Sequence, residues 1–143
     1  MTKARKTYDI GMIDYSIIYF EKSTTAFSKP AIVFYNLGRV YKINKEYDSA
    51  VKNYKRAMVI NPFEKKYSLA ITAIAQEMAK AGDTEYRRQE FDSAIENYKN
   101  AIQYSPDYTT AYFKLARTYF KMKDYENAKI YLEQNLAVDP NQE

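Results

Sequence analysis

One phrase occurs three times in the chain, as EYDSAVKNYKRAMVINP at 46 to 62, EFDSAIENYKNAIQYSP at 90 to 106 and DYENAKIYLEQNLAVDP at 124 to 140. The copies close on Pro62, Pro106 and Pro140, so the first interval is longer than the second. Repetition at a period of about 20–50 residues marks a supersecondary unit that cannot bury its apolar face alone and stacks on its neighbours. Tyr47, Ala50, Tyr54 and Ala57 return as Phe91, Ala94, Tyr98 and Ala101, and three of the four positions return again as Tyr125, Ala128 and Leu132. Steps of three and four put these residues on one face of a helix.

A second pattern precedes the first and third copies: FYNLGRVYKINK at 34 to 45 and YFKLARTYFKMK at 112 to 123. Leu37, Arg39, Tyr41 and Lys45 match Leu115, Arg117, Tyr119 and Lys123. Each unit therefore reads as two short amphipathic helices with a turn at Asn44-Lys45-Glu46 or Lys123-Asp124 and a proline ending the second. Gly38 and Ala116 keep the paired helices close, and Ala50, Ala94 and Ala128 meet them from the other side. Most of the 16 tyrosines fall at fixed places in the phrase, so packing is their main role.

Together these positions resemble the tetratricopeptide repeat. Phe34, Leu37, Gly38, Tyr41, Ala50, Tyr54, Ala57 and Pro62 carry its pattern once, and Tyr112, Leu115, Ala116, Tyr119, Ala128, Leu132 and Pro140 carry it again. Phe or Tyr replaces the usual Trp, and Asn135 stands where a small alanine is expected, which points to a looser or partly exposed last helix. The resemblance implies an all-α fold, a right-handed α-solenoid of antiparallel helix pairs with about three and a half repeats and seven helices. It is expected as one domain over 1–143, part of a longer protein, with a degenerate half repeat at 8–30 and repeats at 31–64, 65–108 and 109–143. In the half repeat Gly11 falls at the turn, Ser16 at the small position, and Phe20 and Ser23 at later packing positions.

The middle unit carries an insertion, which the sequence suggests lies in AKAGDTEYRRQ, between its helices. With Gly82 capping the first helix and Asp83 or Thr84 starting the second, both helices would lengthen and jut from one edge. Such a hairpin is either a tolerated insertion or a second contact surface exposing Tyr86, Arg87 and Arg88.

Composition removes several classes of function. Cysteine and histidine are absent, so there is no thiolate nucleophile, disulfide, Cys/His zinc site or imidazole base. Only 3 glycines are present, and no phosphate loop and no dense acidic cluster occurs. Glu46 and Asp48 sit at a turn, where capping and solvation explain them. No catalytic residue, metal site or cofactor is therefore expected. No apolar run reaches the ~18 to 20 residues of a membrane helix, and the sequence does not set a compartment. The net charge of +4 is interleaved rather than blocked, which disfavours RNA on this basic, aromatic surface.

The resemblance implies that the first helix of each pair lines a concave face. Its outward positions are then Ile32, Tyr35, Asn36, Arg39, Lys42 and Ile43 in one unit, and Lys66, Leu69, Ala70, Ala73, Gln76 and Glu77 in the next. The last unit supplies Thr110, Phe113, Lys114, Arg117, Phe120 and Lys121. Aromatic and basic ends around a small apolar floor suit an extended or helical peptide with apolar side chains and acidic or carboxylate groups, gripped by Arg39 and Arg117 beside Tyr35 and Phe113. Within the family a Lys/Asn carboxylate clamp is known. Asn36 and Lys114 match two of its residue types, whereas Tyr35, Arg39, Ala70 and Thr110 depart from it. The expected function is thus a non-catalytic module binding a protein or peptide partner. The alternative is a structural module that uses open solenoid ends and the middle hairpin for homo-oligomerisation or docking.

Overall fold

The computed structural model describes residues 31–139 together with Ile18. Among them are six helices and no strand: α1 Ala31–Ile43, α2 Tyr47–Ile60, α3 Lys66–Arg87, α4 Phe91–Tyr104, α5 Thr109–Lys121 and α6 Tyr125–Val138. The seventh expected helix, with Gly11, Ser16, Phe20 and Ser23, lies outside the described residues.

The turns within the three pairs are the same turn. Lys45, Gln89 and Lys123 all take left-handed backbone, with φ of 63°, 63° and 64°. In each, the next amide reaches back five residues: Glu46 N–H donates to the Tyr41 carbonyl at 2.9 Å, Glu90 to Glu85 and Asp124 to Tyr119 at 3.0 Å. This closure satisfies carbonyls that a helix end otherwise leaves unpaired. Glu46 and Glu90 then begin their helices without a side-chain cap, whereas Asp124 accepts the Asn127 amide at 3.1 Å.

Counting back from these turns corrects the middle unit. α3 has 22 residues against 13 in α1 and α5, while α4, at 14 residues, is no longer than α2 or α6. The insertion extends the start of α3; it does not form a hairpin between α3 and α4. Gly82 does not cap a helix, and Asp83 and Thr84 do not start one; all three lie inside α3. Gly38, Gly82 and Ala116 precede Lys45, Gln89 and Lys123 by the same number of steps, so Gly82 occupies the place where the pair must close up.

By proximity the chain divides into two compact units, residues 1–71 and 72–143. In the first, Ala31, Phe34, Ala57 and Tyr67 form a buried cluster with Tyr35 and Met58 against it. In the second, Ala75, Ala79, Ala94, Ile95, Tyr98, Ala101, Ala111 and Leu115 are buried together. Each fully buried large apolar side chain contributes about 1.5–3 kcal/mol, and the alanines let helix backbones approach closely enough for that burial. α6 departs from this pattern. It buries Ala128 and Asn135 but leaves Ile130, Leu132, Leu136 and Val138 exposed. The last helix is thus partly exposed, although Asn135 itself is not.

Candidate functional site

In the first unit Tyr35 is the centre of the candidate surface. Its ring lies 5.7 Å from that of Tyr54 and 5.4 Å from that of Tyr67, tilted to both. Two cations flank it: the Arg39 guanidinium carbon at 5.9 Å and Lys66 Nζ at 5.6 Å from the ring centroid. Tyr35, Arg39, Lys42, Ile43, Tyr54 and Ala70 together line a recess of about 310 Å³. No carboxylate is among those residues. The buried Tyr54 phenol has its pKa pushed up to about 12, chiefly by loss of solvent and then by Tyr35, with Arg39 pulling the other way. It therefore keeps its proton at neutral pH and can donate. A recess furnished with cationic donors and a hydroxyl but no acidic group favours an anionic guest.

Of the other residues named for this region, Asn36 is half-buried on α1 and Leu69 projects into solvent, 64% exposed. Lys66 also lies 5.4 Å from the Tyr67 ring and 3.4 Å from Glu64, so part of its charge is already neutralised.

The second unit carries a different arrangement. Lys114 Nζ donates to Asp83 Oδ1 at 2.7 Å, and the Tyr98 hydroxyl donates to the same oxygen at 2.9 Å. Burial and this bond together raise the Tyr98 pKa. Lys114 is therefore an internal tie between α3 and α5 rather than an open anchor. Arg117 is exposed and its guanidinium lies 4.7 Å from the centroid of Tyr86. Tyr86 in turn meets Phe91 edge-on at 5.6 Å and packs on the core, so it is not an exposed tip; Arg87 and Arg88 are exposed. Phe113, Lys121 and Gln76 are exposed and Ala73 is half-buried.

Asp83 is the residue that sequence reasoning missed. Counted back from the turns, Asp83 is the repeat counterpart of Arg39 and Arg117, and Lys80 that of Asn36 and Lys114. On that register the counterparts of Ile32, Tyr35, Asn36, Arg39, Lys42 and Ile43 on the middle helix are Gln76, Ala79, Lys80, Asp83, Tyr86 and Arg87, so that of Lys66, Leu69, Ala70, Ala73, Gln76 and Glu77 expected there Gln76 alone keeps its place. The signal was present in the spacing of the closing prolines: the step from Pro62 to Pro106 carries Gly38 to Gly82, and the step from Pro106 to Pro140 carries Gly82 to Ala116.

Three family models match the chain, one described as TPR repeat over residues 82–123 and two as tetratricopeptide repeat over 31–63 and 109–142. Together they take in more than half of the sequence, and the chain belongs to the tetratricopeptide repeat family. No curated protein matches it. Similar solved structures include MamA, with 22% identity, 98% of this chain and 76% of that one covered, and a TM-score of 0.46. The first TPR of Spaghetti (RPAP3), bound to the HSP90 peptide SRMEEVD, shows 23% identity over 81% of this chain and 84% of that one, with a TM-score of 0.42. YrrB, a TPR protein with an unusual peptide-binding site, shows 19% identity over 94% and 64%, with a TM-score of 0.41. Among the described residues no helix is long and apolar enough to cross a membrane, and no group of acidic side chains could hold a metal ion.

Proposed function

We infer that the chain binds a partner protein through the exposed faces of its first helices, without catalysis of its own, and that the recess beside Arg39 receives an acidic side chain or terminal carboxylate of that partner. The observation that carries this reading is the composition of the recess: Arg39 and the protonated Tyr54 flank the Tyr35 ring, Lys42 lines the same recess, and no carboxylate is among the lining residues. Arg39 can hold a carboxylate through two parallel hydrogen bonds while its flat face rests on Tyr35. Ile43, 66% exposed at the rim, offers an apolar contact to the neighbouring residue of the guest. In the second unit the exposed Phe113, Arg117 and Lys121 offer a further contact surface, with Lys114 held back by Asp83.

Partner capture with the intact chain and with Arg39→Glu, followed by calorimetric titration of the recovered binding segment, tests the assignment. The expected result is a loss of affinity of about tenfold or more for Arg39→Glu, with a similar loss when the segment's carboxylate is amidated. Equal affinity for the two chains would remove the recess from the interface.

A further inference from the structure

The two signs of charge interleave along most of the chain, but not along α2 and the turn that follows it. Residues 49–76 hold five basic side chains, Lys52, Lys55, Arg56, Lys65 and Lys66, against the single acid Glu64, a net charge of +4. That equals the net charge of the whole chain, so the rest of the sequence is balanced. Lys66 is turned toward Glu64 and the Tyr35 ring, whereas Lys52, Lys55 and Lys65 are exposed. Steps of three and four carry the stripe of Lys52 and Lys55 on to Val59. There an apolar group stands in solvent: Val59 is 83% exposed, Ile60 46% and Phe63 93%. The Glu64 N–H donates to the Asn61 carbonyl at 3.4 Å, so Pro62 and Phe63 form the tip of a turn.

The repeat does not require this chemistry. One repeat later the same turn closes from the Tyr108 N–H to the Ser105 carbonyl at 3.0 Å, with Pro106 and Asp107 at its tip. Asp107 accepts a hydrogen bond from the Ser105 hydroxyl at 2.6 Å and so holds its turn, a role that a phenyl ring cannot fill. Glu96 and Gln103 stand at the places of Lys52 and Val59. They are exposed as well, although α4 packs on both α3 and α5. The stripe is therefore the outer face of a second helix, open within an array and not only at its margin. Polar side chains fill it on α4; lysines and an apolar tip fill it on α2.

We propose that this face of the first unit docks on an anionic lipid surface, with Val59, Ile60 and Phe63 entering the headgroup region and Lys52, Lys55 and Lys65 meeting lipid phosphates. A bilayer takes up a protruding apolar turn without a matching pocket. Its negative surface attracts lysine, a residue that protein–protein interfaces disfavour. The contact is peripheral, since three side chains cannot span a bilayer. The inference does not rest on the Arg39 recess, so either can fail alone.

The probes are large unilamellar vesicles of phosphatidylcholine, with or without about one-third phosphatidylglycerol, added to the full chain at low ionic strength. Flotation with the anionic vesicles is expected, with none for phosphatidylcholine alone and a steep loss as salt is raised. Lys52→Glu/Lys55→Glu should weaken binding by about tenfold or more, and Phe63→Ser by about fivefold. Both should leave the melting temperature unchanged, because these side chains are exposed. Arg88→Glu/Lys129→Glu alters the net charge equally in the second unit and should keep binding within about twofold of the parent. The chain has no tryptophan, so Phe63→Trp supplies a single reporter, whose emission should move to shorter wavelength on the anionic vesicles only. Absence of flotation, an equal loss for the two charge reversals, or a bound chain whose reporter emission does not move overturns the proposal. So does a partner protein captured by the parent chain and lost with Phe63→Ser in the absence of vesicle binding, since the face would then belong to a protein.

Discussion

At Gly38 and Gly82 one methyl group decides how closely two helices pack. A Cβ on Gly82 would lie 2.7 Å from Cε1 of Tyr98, and one on Gly38 would lie 2.6 Å from ring carbons of Tyr54. The third pair combines Ala116 with Leu132 in place of tyrosine, so the small residue is glycine where the register sets an aromatic ring against it. Two effects of Gly82→Ala oppose one another. Helix propensity favours alanine by up to about 1 kcal/mol, while overpacking costs about 1–3 kcal/mol. Overpacking should win, because the ring cannot swing away: the Tyr98 hydroxyl is held by Asp83. Gly82→Ala is therefore expected to lower stability in urea denaturation, and to be neutral or stabilising in a Tyr98→Leu background that reproduces the Ala116/Leu132 combination. An equal loss in both backgrounds would contradict this account of the packing.

For the helices and their turns, much was legible. The phrase and its upstream partner mark both helices of the first and last pairs, because apolar residues at steps of three and four leave few other solutions. The middle first helix was not legible when matched forward from Pro62, since KKYSLAITAIAQEMAK has no aromatic-Leu-Gly sequence to anchor it. Taken alone, Gly82 followed by Asp83 and Thr84 reads as a stop and a start. What overrides that reading is tertiary: Tyr98 on α4 requires a residue without a side chain inside α3. The turns carry a testable strain. Lys45, Gln89 and Lys123 occupy left-handed backbone, which costs a residue with a Cβ about 1–2 kcal/mol. Gln89→Gly should raise the melting temperature by a few degrees and Gln89→Val should lower it. If glycine proved destabilising, the side chain of Gln89 would have to contribute more than the backbone relief returns.

Across the whole chain, what was legible of the candidate site was the nearness of Arg39 to the Tyr35 ring, because a repeat register aligns residues that face the same way. The internal Asp83–Lys114 tie was hidden, since it depends on where α3 begins. The residues that set the response to pH are, by contrast, fixed by composition and burial together. With no histidine or cysteine, no side-chain type present ionises in its ordinary range between about pH 5 and 9. At higher pH the tyrosines take over. Burial is the largest cause of the raised pKa at Tyr54, Tyr98 and Tyr112, reaching about 12 at Tyr54. A folded chain thus keeps phenolic protons that an unfolded chain loses near pH 10, so the folded state binds more protons and stability falls as pH rises. The contribution is complete below about pH 10 and is lost as the pH climbs through the folded value near 12. The urea midpoint should hold level from about pH 6 to 9 and drop between about pH 10 and 12. Tyr54→Phe should flatten that drop, because phenylalanine has no proton to lose. A midpoint already falling at about pH 8, or a Tyr54→Phe profile identical to the parent, would place the pH-sensitive group elsewhere.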